Sequence, residues 1–190
     1  MKIGFAPLKR GLNRGKIRVY DSFSREASAL SPGNTETGQP WVIPAGVFGI
    51  DENGIYCVSH GAGTYDIAYI DSGLSDCAIS WCKGYNLMAL RPLFRYQDAS
   101  NLFFIALNGG TYAIVCRKSG SNSVLLSTDL SENNGDIIRV RLNGSRISLE
   151  INGTSYGYID DSSVQNATKH GFLTTIASND RCYKMEVESI

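Results

Sequence analysis

Two carboxylates at i and i+2 on one strand project from the same face, where they can sit within the roughly 5 to 9 Å that glycoside hydrolysis asks of an acid and its nucleophile or base. Glu186-Val187-Glu188 is the only pair with that spacing. With Lys184 these residues alternate with Met185 and Val187 close to the chain end, the pattern of a terminal strand whose polar face meets solvent. A hydrolase with its acids placed elsewhere would need Glu150 or Glu188, and either one changed to Gln should then abolish release of reducing ends. The two histidines, His60 and His170, each precede a glycine, Gly61 and Gly171, and no Gly-x-Ser-x-Gly elbow accompanies them. They read as loop histidines, and catalytic residues are not assigned. No glycine-rich loop follows a strand and opens a helix, which excludes the usual phosphate cradle.

Metal chemistry has little support. The five cysteines (Cys57, Cys77, Cys82, Cys116 and Cys182) form no CxxC pair and have no histidine at ligand spacing, which argues against zinc. Their number is odd, against a full disulfide framework, and four lie in apolar or alternating runs, where a free thiol behaves as a small hydrophobe. The expectation is reducing synthesis. Calcium is the one ion that the loop aspartates Asp66, Asp71, Asp76, Asp160 and Asp161 would suit, but they form no contiguous ligand motif, and no cofactor is expected.

Recognition is better supplied. His60-Gly61-Ala62-Gly63-Thr64-Tyr65 and Lys83-Gly84-Tyr85-Asn86 mix glycine, tyrosine and hydrogen-bonding side chains, the composition of an adaptable binding rim. Tyr65, Tyr85 and Asn86 are the candidates for sugar contact; the competing role for a tyrosine is to cap a core edge. Trp41, which follows a polar loop, is expected to plug the end of the core, although an indole face also suits a pyranose.

These groups need a frame. With 190 residues, 43% hydrophobic and 19% charged, the chain can bury one core without staples, and its 20 glycines and 10 tyrosines suit short strands joined by tight turns. From Val19 onward the pattern is period two or short apolar runs, broken by turn residues every 8 to 12 residues or so. Strands are predicted over 47–50, 55–59, 67–70, 77–83, 87–96, 102–107, 112–118, 124–128, 136–142, 146–151, 154–160, 171–176 and 183–189. Only 161–169 could hold a helical turn. Asn143-Gly144, Asn152-Gly153 and Asn108-Gly109-Gly110 read as hairpin turns between alternating flanks, implying an antiparallel sheet. The first two also fall in glycosylation sequons, as does Asn166, but the turns alone account for them. The segment from Ser31 to Pro40 is expected to be a surface loop packed by its ends.

Eighteen basic and eighteen acidic residues balance, so the domain as a whole exerts no pull on nucleic acid or an anionic membrane. Lys2, Lys9, Arg10, Arg14, Lys16 and Arg18 precede the first acid, Asp21. Residues 1–18 are therefore expected to form a basic N-terminal arm, a solvated leader, ahead of a single domain at 19–190. Neither a signal peptide nor a membrane span is recognisable.

Asp21-Ser22-Phe23-Ser24-Arg25, Gly33 to Trp41 and Gly46-Val47-Phe48-Gly49-Ile50 together resemble the opening of concanavalin A-like (laminin-G-like) lectin domains of the kind carried by phage tail and virion proteins. Phe94 to Phe104 is similar to their central hairpin, and Arg146 to Gly153 to a later strand and Asn-Gly turn. The resemblance implies an all-β fold, a two-sheet antiparallel jelly-roll sandwich. It implies a non-catalytic accessory domain of a phage tail or virion, made in the host cytoplasm and held by tail proteins, that touches host-surface polysaccharide. A true carbohydrate-binding lectin module and a glycoside hydrolase of the same fold are the alternatives, and the fuller acidic array of those hydrolases is absent. A homo-oligomer around a tail axis would fit such a setting.

Overall fold

The computed structural model describes residues 16–84, 89–178 and 180–190. The described residues form strands and turns with no helix. The strands are β1 (Ile17–Asp21), β2 (Val42–Ala45), β3 (Val47–Asp51), β4 (Gly54–Ser59), β5 (Asp66–Asp71), β6 (Cys77–Lys83), β7 (Arg91–Asp98), β8 (Asn101–Asn108), β9 (Thr111–Lys118), β10 (Ser121–Ser131), β11 (Ile137–Asn143), β12 (Arg146–Ile151), β13 (Thr154–Asp160), β14 (Lys169–Thr174) and β15 (Cys182–Ser189). They make two antiparallel sheets. One runs β13-β12-β11-β6-β15-β4-β3, with β1 also on β15; the other runs β10-β9-β8-β7-β14-β5-β2. The result is the expected jelly-roll sandwich.

Period two decides which side chains meet between the sheets. From β11 and β12, Ile138, Val140, Leu142, Ile147, Leu149 and Ile151 turn inward and are buried, while Arg141 between them is exposed. They meet Phe94, Phe103, Ile105, Tyr112, Ile114 and Phe172 from the other sheet. Phe94 stacks on Phe103 at 5.5 Å and 16°, and truncating either ring would cost about 3–5 kcal/mol.

The turns behave as their residues dictate. Asn152 and Gly153 both have positive φ, 53° and 81°, as a two-residue type I′ hairpin requires. The hairpins do not share one sheet, however: β8–β9 belongs to the seven-stranded sheet and β11–β12–β13 to the eight-stranded one. The stretch at 161–169 holds a turn, not a helix: Asp161 Oδ1 accepts from the Ser163 N–H at 2.6 Å, and the Ala167 N–H donates to the Val164 carbonyl at 3.0 Å.

Two strands were not legible. β2 contains Pro44, which an edge strand tolerates because one side of its backbone has no partner; it is the last strand of its sheet. β1 starts at Ile17, inside the expected arm, and pairs with β15 through Ile17↔Glu188 and Tyr20↔Glu186. The sheet therefore begins before Val19, and only residues 1–15 of the arm lie outside the described residues. The start of β7 also differs, at Arg91 where residue 87 was expected.

The opening motif is a clamp. The fully buried Asp21 carboxylate accepts from the Phe23 N–H at 2.8 Å, from Arg25 Nη1 and Nη2 at 2.6 and 3.0 Å, and from Trp41 Nε1 at 2.8 Å. Trp41 stacks on Phe172 at 5.7 Å, the core plug the sequence implied. The Ser31–Pro40 loop closes on itself through Thr35 N–H to the Gln39 carbonyl and Trp41 N–H to the Gly33 carbonyl.

Candidate binding trough

The seven-stranded sheet is apolar on both faces. Residues alternating with its core set form a second cluster on the side away from the core: Ile67, Leu93, Tyr96, Leu102, Phe104, Ala106, Val115 and Leu173, with Tyr65 and Tyr69 packed on them. A row of backbone partners crosses this face from Tyr69 through Gly171, Leu93, Phe104 and Val115 to Val124. At Gly171 a Cβ would lie 2.1 Å from the Ala68 carbonyl oxygen, so only glycine fits there.

The face is curled. Tyr65 immediately precedes β5, and Asn122 lies on β10, five strands away. At about 4.8 Å per strand a flat sheet would hold them about 24 Å apart. Instead Asn122 Nδ2 donates to the Tyr65 hydroxyl at 2.9 Å, which requires the sheet to bend around its outer face into a trough. The Tyr65 ring lies 6.0 Å from Phe104, and the Arg117 guanidinium lies 5.1 Å from the Tyr65 ring centroid. Arg91 covers Phe104 at 5.7 Å, and the Lys169 ammonium sits 5.1 Å from the Tyr69 ring, itself 5.1 Å from Tyr96. Tyrosines and cations thus tile the apolar floor.

At one end the trough opens into a cleft of about 700 Å³ lined by Tyr96, Gln97, Gln165, Asn166, Thr168 and Lys169. A second hollow of about 320 Å³ shares Gln97, Ser162 and Val164 with it and adds Asn101, Arg117 and Lys118. Arg117 is fixed by Nε to the Ala99 carbonyl at 2.9 Å and Nη1 to Asn122 Oδ1 at 3.0 Å. The wall beside Lys169 is set by Thr168, whose hydroxyl donates to Asp71 at 2.6 Å and holds that carboxyl below its usual range. Amides, hydroxyls and aromatic faces beside one another can hydrogen-bond and stack on a polar, partly apolar ring.

Of the expected sugar-contact residues, the structure places Tyr65 in the trough, 6% exposed and engaged by Asn122, Arg117 and Phe104. Tyr85 and Asn86 lie outside the described residues. Sequence reasoning missed Arg91, Tyr96, Gln97, Arg117 and Lys169. Their signal was the run Leu102–Leu107, apolar at consecutive positions, which implies burial on both faces and so a second surface for neighbouring strands to line.

Several expectations are corrected. Glu186 and Glu188 do not face solvent at a sheet edge: β15 lies between β6 on one side and β4 with β1 on the other, and the two are 5% and 1% exposed. Glu188 Oε2 meets Arg139 Nη2 at 2.6 Å, and Glu186 meets Lys184 Nζ at 3.1 Å. Glu150 is three strands from Glu186 through Arg139 and Ser80, about 14 Å at ~4.8 Å per strand, beyond the ~9.5 Å reach of paired acids. Arg95, on β7, is fully buried. A positive φ of 49° turns it inward, where Nη2 donates to the Gly144 carbonyl at 2.6 Å, while Asp98 accepts from Asn101 and the Ser100 N–H.

Of the two histidines, His60 lies in the loop after β4, as expected, and His170 does not. His170 is buried on β14, accepts at Nδ1 from the Arg95 N–H at 3.2 Å and faces the Leu74 carbonyl with Nε2. Burial lowers its pKa from 6.5 to about 4. His60 Nδ1 lies 2.5 Å from the buried Asp66. The five calcium-candidate aspartates do not converge: Asp66 serves His60 and Gly61, Asp71 serves Thr168, Asp76 serves the Gly144 N–H, Asp160 serves Arg146 and Asp161 serves Ser163. No group of three histidine, cysteine or acidic side chains is placed to hold a metal among the described residues.

No known sequence family matches this chain, and no curated protein matches it. Solved structures do. Carbohydrate-binding module CBM66 from Bacillus subtilis aligns at 12% identity and a TM-score of 0.57, over 78% of this chain and 92% of its own. Domain 4 of AbnA, a GH43 extracellular arabinanase from Geobacillus stearothermophilus solved with arabinotriose, aligns at 14% and 0.57, over 93% and 94%. SCLam, a non-specific endo-beta-1,3(4)-glucanase of family GH16, aligns at 8% and 0.57, over 93% and 89%. At such identities the likeness is one of architecture, and the chain is a concanavalin A-like jelly roll by fold.

Proposed function

We propose that this chain is a non-catalytic carbohydrate-binding module that holds a glycan along the trough and in the cleft at its end. The observation that carries this reading is the lining: Tyr96, Gln97, Gln165, Asn166 and Thr168 set one aromatic face beside a row of amides and a hydroxyl on rigid strands and a braced loop. The similarity in fold to the carbohydrate-binding module CBM66, and to the AbnA domain solved with arabinotriose, supports it. Two features speak against hydrolysis. No carboxylate lines either hollow among the described residues, and the Glu186–Glu188 pair lies on the other sheet with a cation on each member.

Titration calorimetry against soluble polysaccharides should give affinities from millimolar to micromolar, about 4 to 8 kcal/mol, weakened by Tyr96→Ala and by Gln97→Ala. Binding of no glycan, or binding indifferent to both variants, would overturn the reading; release of reducing ends by the unmodified protein would overturn its non-catalytic part. The setting in a phage tail or virion, with tail proteins as partners and self-association around an axis, is supported by the sequence resemblance alone. Co-sedimentation with purified tail particles and with host cell walls, at matched salt, tests it: retention by neither removes that setting.

A further inference from the structure

We infer that the saccharide this site takes is anionic, with oxyanion substituents received by Arg91, Arg117 and Lys169 in the trough and Lys118 at its end; this rests on the carbohydrate-binding reading above. Elsewhere in the molecule arginines are answered by acids: Arg25 by Asp21, Arg95 by Asp76, Arg139 by Glu188, Arg146 by Asp160 and Arg181 by Asp51. Arg18 and Arg141, which have no such partner among the described residues, are exposed. The trough differs from both groups. Arg91, Arg117 and Lys169 are partly buried, and none forms an ion pair with a described residue. Arg91 rests on Phe104, and its enclosed Nε has no hydrogen-bond partner. Arg117 spends Nε and Nη1 on Ala99 and Asn122, which fix its plane and leave Nη2 for a ligand. Lys169 contacts a tyrosine face, with Asp71 near enough to feel its charge but held by Thr168.

Partly buried guanidinium groups without an ion-pair partner are costly, and a guanidinium fixed in plane is the side chain that best receives carboxylate, phosphate or sulfate. The neighbours decide the class of polyanion. Gln97, Gln165, Asn166 and Thr168 in the cleft with Lys169 suit sugar hydroxyls, whereas a nucleic acid would call for a basic stripe on a chain whose net charge is zero.

The test uses matched pairs: polygalacturonate against its methyl ester, and dextran sulfate against dextran, with a single-stranded oligothymidylate as the nucleic-acid probe. Affinity electrophoresis and calorimetry at two salt concentrations should show binding of at least one anionic member and neither neutral one. That binding should weaken with salt and fall about tenfold or more in Arg91→Gln and in Arg117→Gln. Arg141→Gln, on the outer face of the other sheet, should leave it unchanged, and thermal melts establish that each variant is folded. Equal binding of a neutral partner, folded variants with undiminished binding, or equal binding of the oligothymidylate would overturn the inference while leaving glycan binding standing in the first two cases. Binding of no saccharide would overturn both.

Discussion

The Tyr65 hydroxyl and the Asn122 amide meet at 2.9 Å across a sheet in which their strands stand five places apart. One hydrogen bond thereby fastens the two rims of the trough. Tyr65→Phe removes the bond but keeps the ring on Phe104, so it should cost about 1 kcal/mol and loosen glycan binding more than it loosens the fold. Tyr65→Ala also uncovers Phe104 and strands Arg117, and should cost about 3–5 kcal/mol. Urea melts of both variants, with Asn122→Ala to complete a double-mutant cycle, measure the coupling. Strict additivity of Tyr65→Phe and Asn122→Ala would mean that the bond contributes nothing.

Asp21 is a single buried carboxylate with donors from three residues: the Phe23 N–H, both Arg25 Nη atoms and Trp41 Nε1. Removing it leaves an indole N–H and a backbone N–H without that acceptor, and the Arg25 guanidinium without its counter-charge, held by the Pro32 carbonyl alone. Asp21→Ala should therefore destabilise by about 3–5 kcal/mol, and Asp21→Asn by less, because one amide oxygen still accepts. Denaturation followed by Trp41 and Trp81 fluorescence checks the order; a loss under about 1 kcal/mol for Asp21→Ala would show that water replaces the carboxylate there.

The motif around Asp21 shows what the sequence makes legible. Alternation exposed the hairpins of β11 to β13, because one face is apolar and the other is not, and their bounds lie within a residue or so of expectation. It could not tell that the central strands of the other sheet are buried on both faces, since Leu102-Phe103-Phe104-Ile105 carries no polar phase mark. Nor could it foresee Arg95, whose inward turn depends on a positive φ at a bulge between Phe94 and Asp98. Glu186 and Glu188 looked like a solvent face because their burial depends on which strands flank β15, a matter of topology and not of pattern. The trough was illegible for the same reason: Tyr65, Tyr96 and Arg117 come from three strand regions that only the sheet order brings together.

His170 gives the fold a defined acid dependence. Its pKa falls from 6.5 to about 4 on folding because burial disfavours the imidazolium. Between those values the unfolded chain binds a proton that the native state does not, so stability rises with pH through the window. It is fully retained above about pH 6.5, and about 3 kcal/mol is lost by about pH 4. Asp71, whose folded pKa is lowered by Thr168, loses stability in the same direction at lower pH. Urea midpoints at pH 7, 5.5 and 4 should fall in that order, and His170→Gln should flatten the slope between pH 6.5 and 4. An unchanged slope in the folded variant would assign the dependence to the carboxylates.

The five thiols are free and buried, and burial is the first cause of every shift among them. It raises Cys57 and Cys116 to about 11 and Cys77 to about 12, and pushes Cys82 and Cys182 upward as well. At pH 8 a thiol with a pKa of about 11 is ionised to about one part in a thousand, and only the thiolate reacts. Cys57 adds a like charge, because the Asp66 carboxylate lies 3.8 Å from its sulfur. Labelling of the native protein by Ellman's reagent should therefore wait for the chain to open. Its rate should be nearly the same for all five thiols, rise steeply with urea below the unfolding midpoint, and match the opening free energy from equilibrium melts if closing outpaces labelling. Fast reaction of one thiol in buffer would reveal a local opening at that strand, with Cys57 on β4 and Cys116 on β9 identified by mass after tryptic cleavage.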